Sequence, residues 1–175
     1  MTVTAGTIVR ARSLRYAIGQ TAVLQGAISV AASTEDIDCP GLAVEVDPYT
    51  NYIVEGYLAF NGGPGAVDNP EMRMGLSAPP DSSGSWIILS LVDNTGSATG
   101  NVINVRRTSF NVGTAVATEA GVGTGSGSVM AAPFVGRIST FGFYGSLQLR
   151  FAQLFSDTQP TVIDAGSWLR VTAIT

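Results

Sequence analysis

The acidic side chains are the groups in this chain best placed to do chemistry. Glu45, Asp47 and Glu55 fall on or beside two neighbouring extended stretches, and two carboxylates facing each other across a cleft are what a polysaccharide hydrolase uses. Solvent-facing acids on strand surfaces would show the same spacing. Asp36 and Asp38 offer oxygen ligands of the kind calcium takes, but their spacing matches no EF-hand loop. No metal or other cofactor is therefore expected. Serines are plentiful, yet none stands in G-x-S-x-G; the nearest look-alike, Gly125 to Ser128, sits in a linker-like run. The chain contains no histidine. That removes the commonest general base, the usual partner of a nucleophilic serine and the commonest metal ligand. The stretch NGGPGAVDNP at 61–70 has the glycines of a phosphate cradle, but no lysine follows and no helix opens after it. No enzymatic activity is expected.

Composition points instead to adhesion. The chain has 175 residues, 45% of them apolar and only 13% charged, against about a quarter charged in ordinary soluble domains. A surface so poor in charge is expected to be covered by sister subunits or a larger assembly. All nine basic residues are arginine. Residues 1–34 carry Arg10, Arg12 and Arg15 with no acid, a balance of +3; residues 35–93 come to −9 and residues 94–175 to +2. No dense basic face is available to displace counterions from phosphates, so nucleic acid is not an expected partner. The single Cys39 has no intrachain partner and is expected to be a small buried hydrophobe. No run of 18 apolar residues exists for a helical membrane span, and MTVTAGTIVRARSLRYAIG lacks the basic start and apolar core of a signal peptide. No membrane partner is expected, and synthesis and assembly are expected in a cytosol.

The elements that position these residues read as strands. In the closing stretch, 141–175, Leu147, Leu149, Phe151 and Gln153 share one side of an extended segment. The run from Trp168 to Ile174 is apolar on both sides and wants cover on both. Upstream, Leu42, Val44 and Val46 alternate with Ala43, Glu45 and Asp47 until Pro48 ends the strand. In NYIVEGYLAF (51–60), Tyr52, Val54, Gly56, Leu58 and Phe60 share a face. Residues 22–30, 72–78, 85–92, two pieces within 102–117, and 134–144 complete the set. With 21 glycines and eight prolines as punctuation, the pattern predicts eight to ten short strands in an all-β jelly-roll β-sandwich over 21–175. Residues 1–20, rich in Thr and Ala, read as an arm.

The order NYIVEGYLAF, MRMGLSAP, SW, GSLQLRFAQ and GSWLRV, spread over residues 42–174, resembles tail-appendage and head-surface proteins of phages infecting GC-rich bacteria. Those are similar to the compact C1q/TNF-like jelly-roll heads, which assemble as trimers. The opening VTAGTIVRA, Val3 to Ala11, resembles the lead-in of many phage tail proteins. The resemblance implies a non-enzymatic structural protein of a bacteriophage virion, a homotrimer on the capsid or tail surface, assembled in the host cytoplasm. It implies a trimer seam that includes Tyr52, Tyr57, Leu149, Phe151 and Trp168. It also implies that an arm with Arg10, Arg12 and Arg15 attaches to other virion proteins. No stalk precedes the head in this sequence, so the head is expected to sit directly on the particle. Two rivals use the same fold. One is a carbohydrate- or receptor-binding module reaching a host surface glycan, which an exposed Trp86 or Tyr49 beside acids would favour. The other is the carboxylate-dependent polysaccharide hydrolase considered above.

Overall fold

The computed structural model describes residues 19–61, 71–92, 102–110, 116–122, 130–153 and 156–174. Twelve strands and no helix occur among them: β1 (Gln20–Val23), β2 (Ile28–Val30), β3 (Ile37–Val46), β4 (Asn51–Asn61), β5 (Glu71–Ser77), β6 (Ser83–Val92), β7 (Val102–Phe110), β8 (Val116–Val122), β9 (Met130–Ser139), β10 (Gly145–Gln153), β11 (Thr161–Ile163) and β12 (Trp168–Ile174). The larger sheet runs β1-β12-β4-β9-β6-β7, with β11 beside β4 and β2 beside β11; the smaller runs β3-β10-β5-β8. Every pairing is antiparallel.

Between β3 and β10 the chain changes sheet at each step, except at the β6–β7 hairpin. The two orders β3-β10-β5-β8 and β4-β9-β6-β7 are therefore interleaved Greek keys, a jelly roll. The strand count exceeds the expected eight to ten because β1, β2 and β11 are three- or four-residue strands. Residues 22–30 divide at Gly26 instead of forming one strand. The arm read over 1–20 lies outside the described residues up to position 18, and Gln20 already belongs to β1.

The core lies between the sheets, as period-2 alternation requires. The larger sheet contributes Tyr52, Val54, Leu58 and Phe60 from β4, Trp86 and Ile88 from β6, Phe134 and Ile138 from β9, and Leu169 and Val171 from β12. The smaller contributes Val44 and Val46, Met72, Met74 and Leu76, and Leu147, Leu149 and Phe151. The Trp86 and Phe134 rings meet edge to face, centroids 5.9 Å apart at 89°. Phe134 reaches that position because Gly56 opposes it. A Cβ at 56 would fall 2.2 Å from the Phe134 ring and 2.6 Å from the Trp168 carbonyl oxygen.

One irregularity shapes the edge of the smaller sheet. Gln148 pairs with Ala43, but Arg150 pairs with Asp38, so the stretch from Cys39 to Leu42 bulges out of the ladder. Pro40 has no N–H to give to a ladder, and Gly41 lets Leu24 of the neighbouring segment close in, its Cδ1 lying 2.8 Å from where a Cβ would stand.

Candidate functional site

Among the described residues, three sheet-crossing connections meet at one end of the sandwich: 47–50 between β3 and β4, 78–82 between β5 and β6, and 140–144 between β9 and β10. Backbone bonds clamp the first to the third. Tyr49 N–H donates to the Phe141 carbonyl (3.2 Å) and Thr140 N–H to the Thr50 carbonyl (3.0 Å). The buried Thr140 hydroxyl donates to the Asp47 carbonyl at 2.6 Å and accepts from Thr50 N–H at 3.1 Å. Tyr52, buried beneath, accepts a hydrogen bond from Asp47 N–H at its phenol oxygen (2.8 Å).

This end carries an aromatic cluster. Tyr49 is 80% exposed and Tyr144 69%, with Phe141 and Phe143 about half exposed beside them. The Tyr49 hydroxyl passes over Gly142, 3.2 Å from where a Cβ would stand. Asp47 and Asp81 lie in the same loops, which contain no arginine.

Backbone strain gathers here as well. Tyr49 has φ 53° and Asp81 φ 61°, and each follows a proline. The second is the third residue of a turn closed by Ser82 N–H to the Pro79 carbonyl (3.2 Å), where a positive φ usually selects glycine. A non-glycine residue held left-handed costs about 1 kcal/mol or more and persists only where its surroundings impose it. Tyr49→Gly is therefore expected to keep or raise stability by up to about 1 kcal/mol while deleting a ring; urea titration reads the midpoint.

A second surface is the outer face of the larger sheet. Val23, Trp168, Tyr57 and Pro133 are consecutive cross-strand partners over β1, β12, β4 and β9. Tyr57 is exposed, and Ile53, Val135 and Ile174 are exposed on the same face. Within it Arg170 Nη1 pairs with Glu55 Oε1 at 3.5 Å.

Of the five residues expected at a seam, only two lie on that face. Tyr57 is exposed and Trp168 half-buried, whereas Tyr52, Leu149 and Phe151 are interior to the subunit. Side chains without accessible surface have nothing to offer a neighbour. Their alternation was legible, but extended residues on the inner face look the same in sequence as residues on a seam. Arg10, Arg12 and Arg15 lie outside the described residues. Trp86 is in the core, so of the two rings named for a binding module only Tyr49 is exposed. The aromatic end itself was missed, because FVGRISTFGFY reads as one strand, whereas β9 stops at Ser139.

The carboxylates do not converge. Glu45 points outward from the smaller sheet, opposite in phase to the buried Val44 and Val46, and Glu55 points outward from the larger. They face away from each other across the sandwich. Asp36 pairs with Arg73 (3.0 Å) and Asp38 with Arg150 (2.8 Å), so guanidinium groups occupy the carboxylates considered for calcium. Among the described residues no cluster of three acids, cysteines or histidines could hold a metal.

Gln153 and Ser167, from the FAQ and GSW motifs, are buried staples. Gln153 Oε1 accepts from Ser33 N–H (3.3 Å) and Asp157 N–H (3.1 Å), and its Nε2 donates to the Gln159 carbonyl (2.7 Å). Ser167 Oγ accepts from Ala59 N–H at 3.1 Å and donates to the Asp164 carbonyl at 2.8 Å.

Cys39 is fully buried and free. Burial, and then the negative charge of Asp38, push its thiol from 9.0 up to about 12. It stays neutral and is expected to resist thiol reagents in the folded chain. A folded pKa above the unfolded one means stability is full below pH 9.0 and declines as pH rises towards about 12. The loss is on the order of 4 kcal/mol. Urea midpoints for the native chain and Cys39→Ala over that interval check this, since the variant lacks the decline.

A scan against protein-family models finds no match, and neither does a search of the curated proteins. Among solved structures the chain is weakly similar to viral particle proteins. Against the infectious bursal disease virus VP2 subviral particle it is 11% identical with TM-score 0.22, over 89% of this chain and 41% of that one. Against the Gx strain of the same virus it is 14% identical with TM-score 0.24, over 89% and 42%. Against the Gt strain it is 9% identical with TM-score 0.22, over 99% and 46%. The chain spans less than half the length of each of these viral chains.

Proposed function

We propose that this chain is a non-enzymatic structural protein of a bacteriophage virion, a homotrimeric jelly roll seated on the capsid or tail surface. The observation that carries the reading is the apolar row Val23, Trp168, Tyr57 and Pro133 on the outer face of the larger sheet, flanked by Ile53 and Val135. A face of that kind on a chain with 13% charged residues calls for cover. The resemblance to trimeric phage heads supplies the count of three and puts Tyr57 and Trp168 at the seam.

Sedimentation equilibrium tests it. The expected mass is about three times the 18.1 kDa of one chain. A monodisperse, folded monomer at micromolar concentration would overturn the reading. Tyr57→Asp is expected to weaken association by about thirtyfold or more, roughly 2 kcal/mol, with the β signature in circular dichroism retained.

One observation favours a second reading, a module that binds a host surface glycan. Tyr49 stands exposed on a clamped loop with Asp47, and rigid aromatic rings with nearby acceptors suit the apolar faces and hydroxyls of sugars. Screening against a glycan array tests it.

A further inference from the structure

The aromatic end is also the end from which the amino-terminal segment leaves. Asn51 pairs with Ile174 on one side and Ser139 on the other, so the start of β4, the end of β12 and the end of β9 coincide there. β1 runs antiparallel to β12 and begins at Gln20, opposite Val171. Gly19 lies beside Thr172 with φ +72°, a conformation that turns the backbone and suits glycine. The root of residues 1–18 therefore stands two strands from β4, about 10 Å at ordinary strand spacing.

The two parts are chemically complementary. The three loops present Tyr49, Phe141, Phe143 and Tyr144 with Asp47 and Asp81 and without a single basic residue. Residues 1–18 carry Arg10, Arg12 and Arg15 and no acid. A guanidinium stacks flat on an aromatic face and also pairs with carboxylates. Tethering to the same end of the sandwich by a short segment gives an effective concentration in the millimolar range, enough for weak contacts to be occupied.

We infer that the aromatic end is a docking site for the amino-terminal segment, residues 1–18 of the same chain, with its arginines laid over the exposed rings and beside Asp47 and Asp81. A neutral glycan could bond the carboxylates through its hydroxyls, and a zwitterionic lipid surface could offer a quaternary ammonium to the rings, but neither carries a guanidinium and neither is already tethered there. The docking does not depend on the trimer.

Hydroxyl-radical labelling of the full chain, read by mass spectrometry, tests this. In the variant Arg10→Gln, Arg12→Gln, Arg15→Gln, the four rings are expected to label at least threefold faster, with buried Tyr52 and outer-face Tyr57 unchanged. Equal labelling in the two chains overturns the inference. Asp81→Asn, on the receiving surface, is expected to raise labelling about twofold and keeps the test open if the arginine variant aggregates. Protection should survive tenfold dilution; protection lost on dilution overturns the assignment to the same chain. Rings freely labelled in the native chain and shielded only by added neutral oligosaccharide or phosphatidylcholine vesicles also overturn it. Solution mass measured on the same samples reads the trimer separately.

Discussion

Phe151→Ala is expected to destabilise the individual subunit by about 3–5 kcal/mol. The ring has no accessible surface and sits on β10, facing the larger sheet with Leu147 and Leu149. On one side Phe151 opposes Met74 of β5 and on the other Ile37 of β3. Truncation leaves a cavity walled by three strands that their ladders hold apart, so little collapse can offset it. Urea denaturation at several protein concentrations checks the origin of the loss. A core residue lowers the midpoint by the same amount at every concentration, while a seam residue would make the loss depend on dilution.

The other large effect is expected at Gly56. Gly56→Ala should cost about 3 kcal/mol, near the upper end of what overpacking usually costs. The added methyl would meet the Phe134 ring at 2.2 Å and the Trp168 carbonyl oxygen at 2.6 Å. The ring has no free room to retreat, because it is already set edge-on against Trp86, and the carbonyl belongs to a strand that pairs with β4. A lower urea midpoint, with near-ultraviolet circular dichroism altered by the displaced Trp86 indole, is the expected observation. Restoring the midpoint by combining Gly56→Ala with Phe134→Leu would tie the loss to this one collision.

Gly56 also marks how far the sequence could be read. Its phase along β4, on the same side as Val54 and Leu58, follows from alternation alone, and so does the inner face of β10, whereas β12 is apolar on both sides and its inner face does not follow from pattern. The space Gly56 leaves for Phe134 does not, because the partner lies on a different strand 78 positions later, brought alongside only by the sheet. The same limit explains the seam. Period-2 patterning separates two sides of a strand but does not say which side meets the opposite sheet and which meets another molecule. The seam implied by the resemblance takes Tyr52 and Tyr57 from opposite sides of one strand, and only Tyr57, like Trp168, keeps accessible surface on the outer face. The aromatic end was hidden for a local reason. Phe141, Phe143 and Tyr144 have strong β propensity, and it is the bonds of Thr140 and Phe141 to the 47–50 turn that take them out of a strand. Carboxylate placement failed to support a hydrolase because adjacent strands in sequence, β3 and β4, went to opposite layers.

The bulge in β3 sets a limit on how copies of this chain can accumulate. A flat, regular border would let a strand from another molecule zip on, and then another, without end. Here Pro40 interrupts the row of donors, Leu24 fills the gap beside Gly41, and the Gln20 side chain already bonds the Glu45 carbonyl at 3.1 Å. Edge-to-edge addition of a further strand is therefore hindered along that margin.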